Sequence, residues 1–349
     1  MKAFFTSMGL WWATPLVGII GALLASYFNW PLPWIIGSML AVIMVRCLGW
    51  RVGEIPYGRL SGQWMIATSI GLHFTPAVLE QILGHFMMML SAAILTLLLA
   101  LLGIEFMRRK GMDLTTAFFA FMPANFSEMI QAGIRHKANV SQIAAAHSMR
   151  LVLIVLCVPP AMFFTAHISP SVVHARLPSD WYWLLPLLAG GALTAVIWKR
   201  CRWPNPWMFG PMALCAAVTA SFNLQTALPV ELSHYGQLMI GCALGGYFDR
   251  HFFRSSPAYL LKVSLFTLIM ILSTVALAAV IAFWLQVPLL TLALGMMPGS
   301  STEMYLTAEA LNLAVGVVTA MQIMRLVVVM LCAEPVHGLW LKRLRRPEK

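Results

Sequence analysis

Long apolar runs separated by short polar connections fill the chain, and they fall into two matching series of six. In the first half they lie near 5–28, 33–50, 60–75, 78–107, 114–132 and 139–167. In the second they lie near 181–199, 206–222, 231–248, 257–285, 289–308 and 313–340. A helix needs roughly 20 mostly apolar residues to cross a bilayer, so the pattern predicts a polytopic bundle of membrane-spanning helices. The fifth run of each half is short and interrupted by Pro123 or Pro298. Proline lacks an amide donor and disrupts the preceding turn, so each fifth run predicts a helix that stops and restarts.

The two series are related by duplication. Trp30-Pro-Leu-Pro-Trp-Ile-Ile-Gly-Ser-Met39 matches Trp203-Pro-Asn-Pro-Trp-Met-Phe-Gly-Pro-Met212, at an offset of 173. Gly62-Gln-Trp-Met-Ile66 with Gly71 matches Gly236-Gln-Leu-Met-Ile240 with Gly245, at 174. Met122-Pro-Ala-Asn-Phe-Ser-Glu-Met129 matches Met297-Pro-Gly-Ser-Ser-Thr-Glu-Met304, at 175. That last offset continues through Arg150 and Arg325, Cys157 and Cys332, and Pro160 and Pro335. Residues 1–175 and 176–349 are therefore expected to form a first and a second membrane repeat.

Composition sharpens the class. Of 349 residues 60% are hydrophobic and 10% charged, with a mean hydropathy of +0.81, whereas soluble domains carry about 25% charged residues. The net charge of +11 does not describe a nucleic-acid surface. Its basic residues cluster in short connections: Arg46, Arg51 and Arg59; Arg108, Arg109 and Lys110; Lys199, Arg200 and Arg202; Lys342, Arg343, Arg345 and Arg346. That is the positive-inside distribution. Loops at corresponding positions of the halves differ in charge, as two antiparallel copies would show. The expected architecture is all-α, with two inverted repeats of about five transmembrane helices and one proline-broken re-entrant segment each. Both termini would then be cytoplasmic. Lys2 and the run behind it, which has no evident cleavage site before Tyr27, read as an uncleaved first span.

The candidate chemistry sits at the breaks. Met-Pro-x-x-x-[Ser/Thr]-Glu-Met occurs twice and brings together Pro123, Asn125, Ser127 and Glu128, then Pro298, Ser300, Thr302 and Glu303. Broken helices at membrane depth persist where they are buried in protein or line a cavity. Ionisable residues there cost about 2.5–3.5 kcal/mol even on the lenient insertion scale and point to function. Arg150 and Arg325 follow their glutamates by 22 residues, with His147 and Gln322 three residues earlier on the same helical face. Two readings stand for the arginines: a clamp for a carboxylate-bearing substrate, or an ion pair with Glu128 or Glu303. The Trp-Pro-x-Pro-Trp residues read as interface anchors, and Gly241 with Gly245 as a site of close helix packing. Gln63 and Gln237 either line a pathway or bond neighbouring helices. The six cysteines lack CxxC spacing and read as buried apolar residues. No phosphate-loop or HExxH motif is present, so neither ATP-driven transport nor a metalloprotease is expected, and no cofactor or metal.

These repeated proline motifs, the following Glu-Met and the later Arg-Leu resemble the AbrB family of bacterial inner-membrane proteins, which carry a duplicated domain. The resemblance runs over roughly residues 10–340. Family members are described as transporters and also labelled ammonia monooxygenase or regulator. They typically show Pro-Gly-Gly, where this chain has Pro123-Ala124-Asn125 and Pro298-Gly299-Ser300. The resemblance implies an inner-membrane protein. Together with the residues it leads to a secondary transporter of a small solute, with an organic anion as one candidate substrate and ion or proton coupling as one candidate mechanism. The alternative is a membrane-embedded sensor that affects gene expression indirectly. Expected partners are the lipid bilayer and a small-molecule substrate of unknown identity, with no nucleic acid and with homo-oligomerisation left open. No catalytic residue is expected.

Overall fold

The computed structural model describes residues 11–50, 52–166 and 178–344. The proposed uncleaved leader at Lys2, the basic residue Arg51 and the terminal Arg345 and Arg346 lie outside them. Only helices and turns occur among the described residues. The first half runs through α1 (Ala13–Tyr27), α2 (Pro33–Cys47), α3 (Gly58–Leu72), α4 (Pro76–Gly84), α5 (Phe86–Arg109), α6 (Leu114–Phe121), α7 (Phe126–Arg135) and α8 (Val140–Ala166). The second repeats the series as α9 (Trp181–Arg200), α10 (Pro206–Phe222), α11 (Val230–Gly245), α12 (Arg250–Ser255), α13 (Pro257–Leu285), α14 (Leu289–Met296), α15 (Ser301–Ala310) and α16 (Val315–Leu344). The run predicted at 78–107 is two helices, since the chain turns at His85 between α4 and α5. Among the described residues, five helices are long and apolar enough to cross a membrane: Phe86–Arg109, Val140–Thr165, Trp181–Arg200, Pro257–Leu285 and Val315–Leu341. This is a multi-pass membrane protein.

The backbone repeats as the sequence does. Left-handed residues recur in matched pairs: Asn29 and Arg202, Leu32 and Asn205, Gly49 and Asn223, Gly111 and Gln286, Lys137 and Asn312. A positive φ is uncommon outside glycine, so five coincident pairs record one turn chemistry used twice. Leu32 and Asn205 each precede a proline that opens a helix, α2 or α10, where the preset φ suits the first turn. Trp30 and Trp203, at the rim of these turns, are 42% and 53% exposed, as interface anchors require.

Two compact units form, and each draws helices from both halves. One comprises Met1–Gly84, Val155–Ser256 and Tyr305–Gly316; the other comprises His85–Ile154, Pro257–Met304 and Val317–Lys349. In the first unit α1 packs on α2, α9 on α10, α10 on α3, and α11 on α2 and α3. Helices in lipid gain no hydrophobic energy from each other and depend on close packing, and repeated glycines provide it. A Cβ on Gly21 would overlap the Gly37 carbonyl oxygen, and one on Gly37 would overlap that of Gly21. At the matching place in α9 and α10, a Cβ on Gly210 would lie 2.8 Å from the Ala195 Cα and backbone nitrogen.

The contacts between the two copies in this unit are reciprocal. A Cβ on Gly71 would lie 2.8 Å from the Met212 carbonyl oxygen and against Cys215, and one on Gly245 would lie 2.7 Å from the Met39 oxygen and 2.8 Å from Val42 Cβ. Gly62 and Gly236, equivalent residues, face each other's helices directly. Residue i meeting j′ while j meets i′ is the signature of a two-fold relation. Gly241 packs against Ser38 and Ile35, in agreement with the close-packing expectation. All six cysteines are free thiols.

In the second unit α5 packs on α6, α13 on α14, and α5 on α13. Their shared core holds Phe118, Phe119, Phe121, Met122, Ile143 and Phe266, with the Phe121 and Phe266 rings 4.3 Å apart. This core carries the first break, and the second lies in the same unit.

Candidate functional site

Each break has the same construction. Helix α6 ends at Phe121, Met122 turns extended, and Pro123-Ala124-Asn125 leads into α7. Helix α14 ends at Met296, Met297 turns extended, and Pro298-Gly299-Ser300 leads into α15. The helices before the breaks have 8 residues and those after have 10. At 1.5 Å per residue the pieces are only about 12–15 Å long, so neither piece alone spans the hydrocarbon. Both prolines are buried. Asn125 is half-buried, and its side chain makes no capping bond to the helix it precedes.

A broken helix leaves its last carbonyls without intrahelical donors, and the arginines supply them. Arg150 donates from Nη1 to the Met122 carbonyl at 3.0 Å and from Nη2 to His147 Nδ1 at 2.8 Å. His147 in turn donates from Nε2 to the Phe119 carbonyl at 2.9 Å. The bonds assign a neutral ring with its proton on Nε2, because a carbonyl can only accept. In the second copy Arg325 donates from Nη1 to the Met297 carbonyl and from Nη2 to that of Gly299 at 2.9 Å. Gln322 donates from Nε2 to the carbonyls of Leu294 at 2.6 Å and Met297 at 3.2 Å. Phe119 and Leu294, Met122 and Met297, His147 and Gln322, Arg150 and Arg325 all stand 175 residues apart. The duplicated sequence builds one device twice.

The expected ion pair between these arginines and the glutamates is not formed. Among the described residues, ion pairs join Glu105 to Arg108 and Arg109, and Arg135 to Glu334, and neither Arg150 nor Arg325 reaches a carboxylate. Their arms go to backbone carbonyls instead, because the ends of α6 and α14 present about half a negative charge each. Both guanidinium groups are buried, at 7% and 4% exposure, and each Nε is left without a hydrogen-bond partner.

The glutamates occupy the first turns of the restarting helices, Glu128 in α7 and Glu303 in α15, where the helix dipole favours negative charge. Glu128 is half-buried, whereas Glu303 and Thr302 are buried. The Thr302 amide donates to Ser300 Oγ at 3.3 Å. The side chain of Ser127 lies outside the described residues. Thus the second unit gathers His147, Arg150, Gln322 and Arg325 around the breaks, with the glutamates one turn further on. Gln237 belongs to the first unit, where its amide donates to Ser233 at 3.3 Å.

Sequence reasoning missed the backbone carbonyls that the arginines grasp, since no side chain announces them. It also missed a polar cluster in the first unit. Buried Tyr305 bonds Ser69 through their hydroxyls at 2.7 Å, and its ring meets that of His73 edge-on at 5.7 Å. The signal was a tyrosine two residues beyond Glu303, where the first copy has Ile130.

Comparison with known proteins gives a family. The family profile described as "Transition state regulatory protein AbrB" matches residues 34–341. The chain is 26% identical over 299 residues to "Uncharacterized protein YhjN" of Bacillus subtilis (strain 168), covering 80% of this chain and 77% of that protein. With its repeat, its paired proline breaks and this match over most of its length, the chain belongs to the AbrB family.

Proposed function

We propose that the protein is a secondary transporter for a small carboxylate anion, bound between the two breaks and coupled to a cation or proton at the glutamates. One observation carries the reading. Two buried guanidinium groups in one unit reach no carboxylate among the described residues, and each keeps an unused Nε donor. Burying such charges is costly without an opposite charge, and a guanidinium fork matches a carboxylate. Paired broken helices within a duplicated membrane protein are a recurrent way to build such a site.

Charge arithmetic supplies the coupling. The two arginines add two positive charges, the helix ends roughly cancel, and two ionised glutamates would offset the arginines. Neutralising a glutamate with a proton or cation leaves net positive charge and favours the anion. By linkage the anion favours the proton or cation equally. In proteoliposomes the protein is expected to accumulate small carboxylates along an imposed proton or Na⁺ gradient. Glu303→Gln is expected to keep carboxylate exchange and lose the gradient dependence. Uptake of amines instead, or no flux, would refute the reading.

The fifth runs are taken as re-entrant, giving five crossings per half, inverted copies and both termini on the cytoplasmic side of a bacterial inner membrane. The basic connection after α9 is then cytoplasmic, and it carries the exposed Cys201. A variant retaining only this cysteine is expected to resist a membrane-impermeant maleimide in intact cells and to react after permeabilisation. Labelling from outside would mean parallel copies.

A further inference from the structure

The two copies of the device differ in what the residue before the arginine leaves unspent. In the first, His147 spends both ring nitrogens, Nε2 on the Phe119 carbonyl and Nδ1 on Arg150. In the second, Gln322 spends only its amide nitrogen, on Leu294 and Met297. Its Oε1 is buried and accepts no hydrogen bond, on a side chain with no exposed surface. Rotating the amide would set that oxygen against two carbonyl oxygens, so the orientation is fixed by its partners. Gln322 and Arg325 share the Met297 carbonyl, which puts the amide nitrogen that carries the fixed orientation within two hydrogen-bond lengths of the guanidinium.

A second group lies on the same helical face. Thr319, three residues before Gln322, is buried, and its Oγ1 has no partner. Buried threonine hydroxyls in helices usually bond the carbonyl four residues back, as Thr96 does to Ala92. The first copy has Ala144 at the place of Thr319. These two unpartnered groups on one helical face therefore belong to one half only.

We infer that the ligand carries, on a carbon next to its carboxylate, a hydroxyl or amino group that donates to Gln322 Oε1, with Thr319 beside it. This rests on the carboxylate site proposed above and narrows its substrate to hydroxy or amino acids. The carboxylate meets the Nε donors, and the neighbouring donor turns toward α16. A plain carboxylate leaves a buried acceptor unpaired, which costs affinity, and sites built to bond a substrate hydroxyl reject the analogue lacking it.

The test compares matched acids by calorimetry on the purified protein: lactate with propionate, malate with succinate, and alanine with propionate. The first member of at least one pair is expected to bind at least about tenfold tighter. Gln322→His copies the arrangement of His147, so it keeps the carbonyl bond and fills the second nitrogen with Arg325. It is expected to lose the preference between the members of a pair, and Thr319→Ala to reduce it. Equal binding of all pairs in the unaltered protein overturns the inference while leaving a carboxylate site standing. A preference that survives Gln322→His also overturns it, and binding of no carboxylate at all removes the site itself. If Gln322→His does not fold, the pairs measured on the unaltered protein decide.

Discussion

Replacing Gly37 by valine is expected to destabilise the protein by about 3 kcal/mol, at the upper end of what overpacking a core costs. The obstacle is backbone rather than a side chain that can swing aside. A Cβ at Gly37 would run into the Gly21 carbonyl, and one at Gly21 into that of Gly37. Helices α1 and α2 would have to part along their length, breaking a contact that lipid cannot replace. Gly338 gives the comparison: it lies within α16, and an added Cβ would meet nothing within 4 Å. Gly338→Ala is expected to be neutral or to gain up to about 1 kcal/mol from helix propensity. Thermal unfolding in detergent would show the difference, and equal midpoints would mean that α1 and α2 do not approach this closely.

The duplication was legible because both copies kept the residues that turns and close contacts demand. Trp-Pro-x-Pro-Trp-x-x-Gly recorded a left-handed turn, a proline opening a helix and a glycine under a neighbouring backbone. The breaks were legible because each proline stands in a short run within a repeated motif that ends in Glu-Met. Proline alone is no signal, since Pro159, Pro160, Pro186, Pro211 and Pro335 lie within continuous helices. Other features were not. Nothing in the runs 78–107 or 257–285 signals which halves pack together, because helices apolar on every side carry no facing information. Hence the sorting of helices from both halves into two compact units could not be read. At the site, sequence named both glutamates, both arginines, His147 and Gln322, and left two partners open for the arginines. The structure chose a third, the carbonyls of Met122, Met297 and Gly299, which every residue possesses and no sequence marks.

Arg325→Lys follows from that choice and carries the largest functional effect. Arginine spans the Met297 and Gly299 carbonyls with two arms and keeps Nε for a ligand. A lysine ammonium retains the charge but lacks the planar fork. It can answer one carbonyl well, leaving the other buried and short of a donor, at about 1–3 kcal/mol. The protein is expected to fold with that modest loss, because the breaks remain set by Pro298 and by the bonds of Gln322. Carboxylate affinity is expected to fall at least about a hundredfold, as when one partner of a buried, hydrogen-bonded charge pair is removed.

The most direct measurement is thermal unfolding of the purified protein in detergent against a panel of small carboxylates and small amines, with Arg325→Lys run alongside. A ligand that binds only the folded state adds about 2.7 kcal/mol at a hundred times its dissociation constant, a shift easily seen. The expected result is a rise in midpoint with carboxylates alone, absent at the same concentrations from folded Arg325→Lys. A rise with amines, or a carboxylate shift that survives in Arg325→Lys, would contradict an anion site held by the paired arginines.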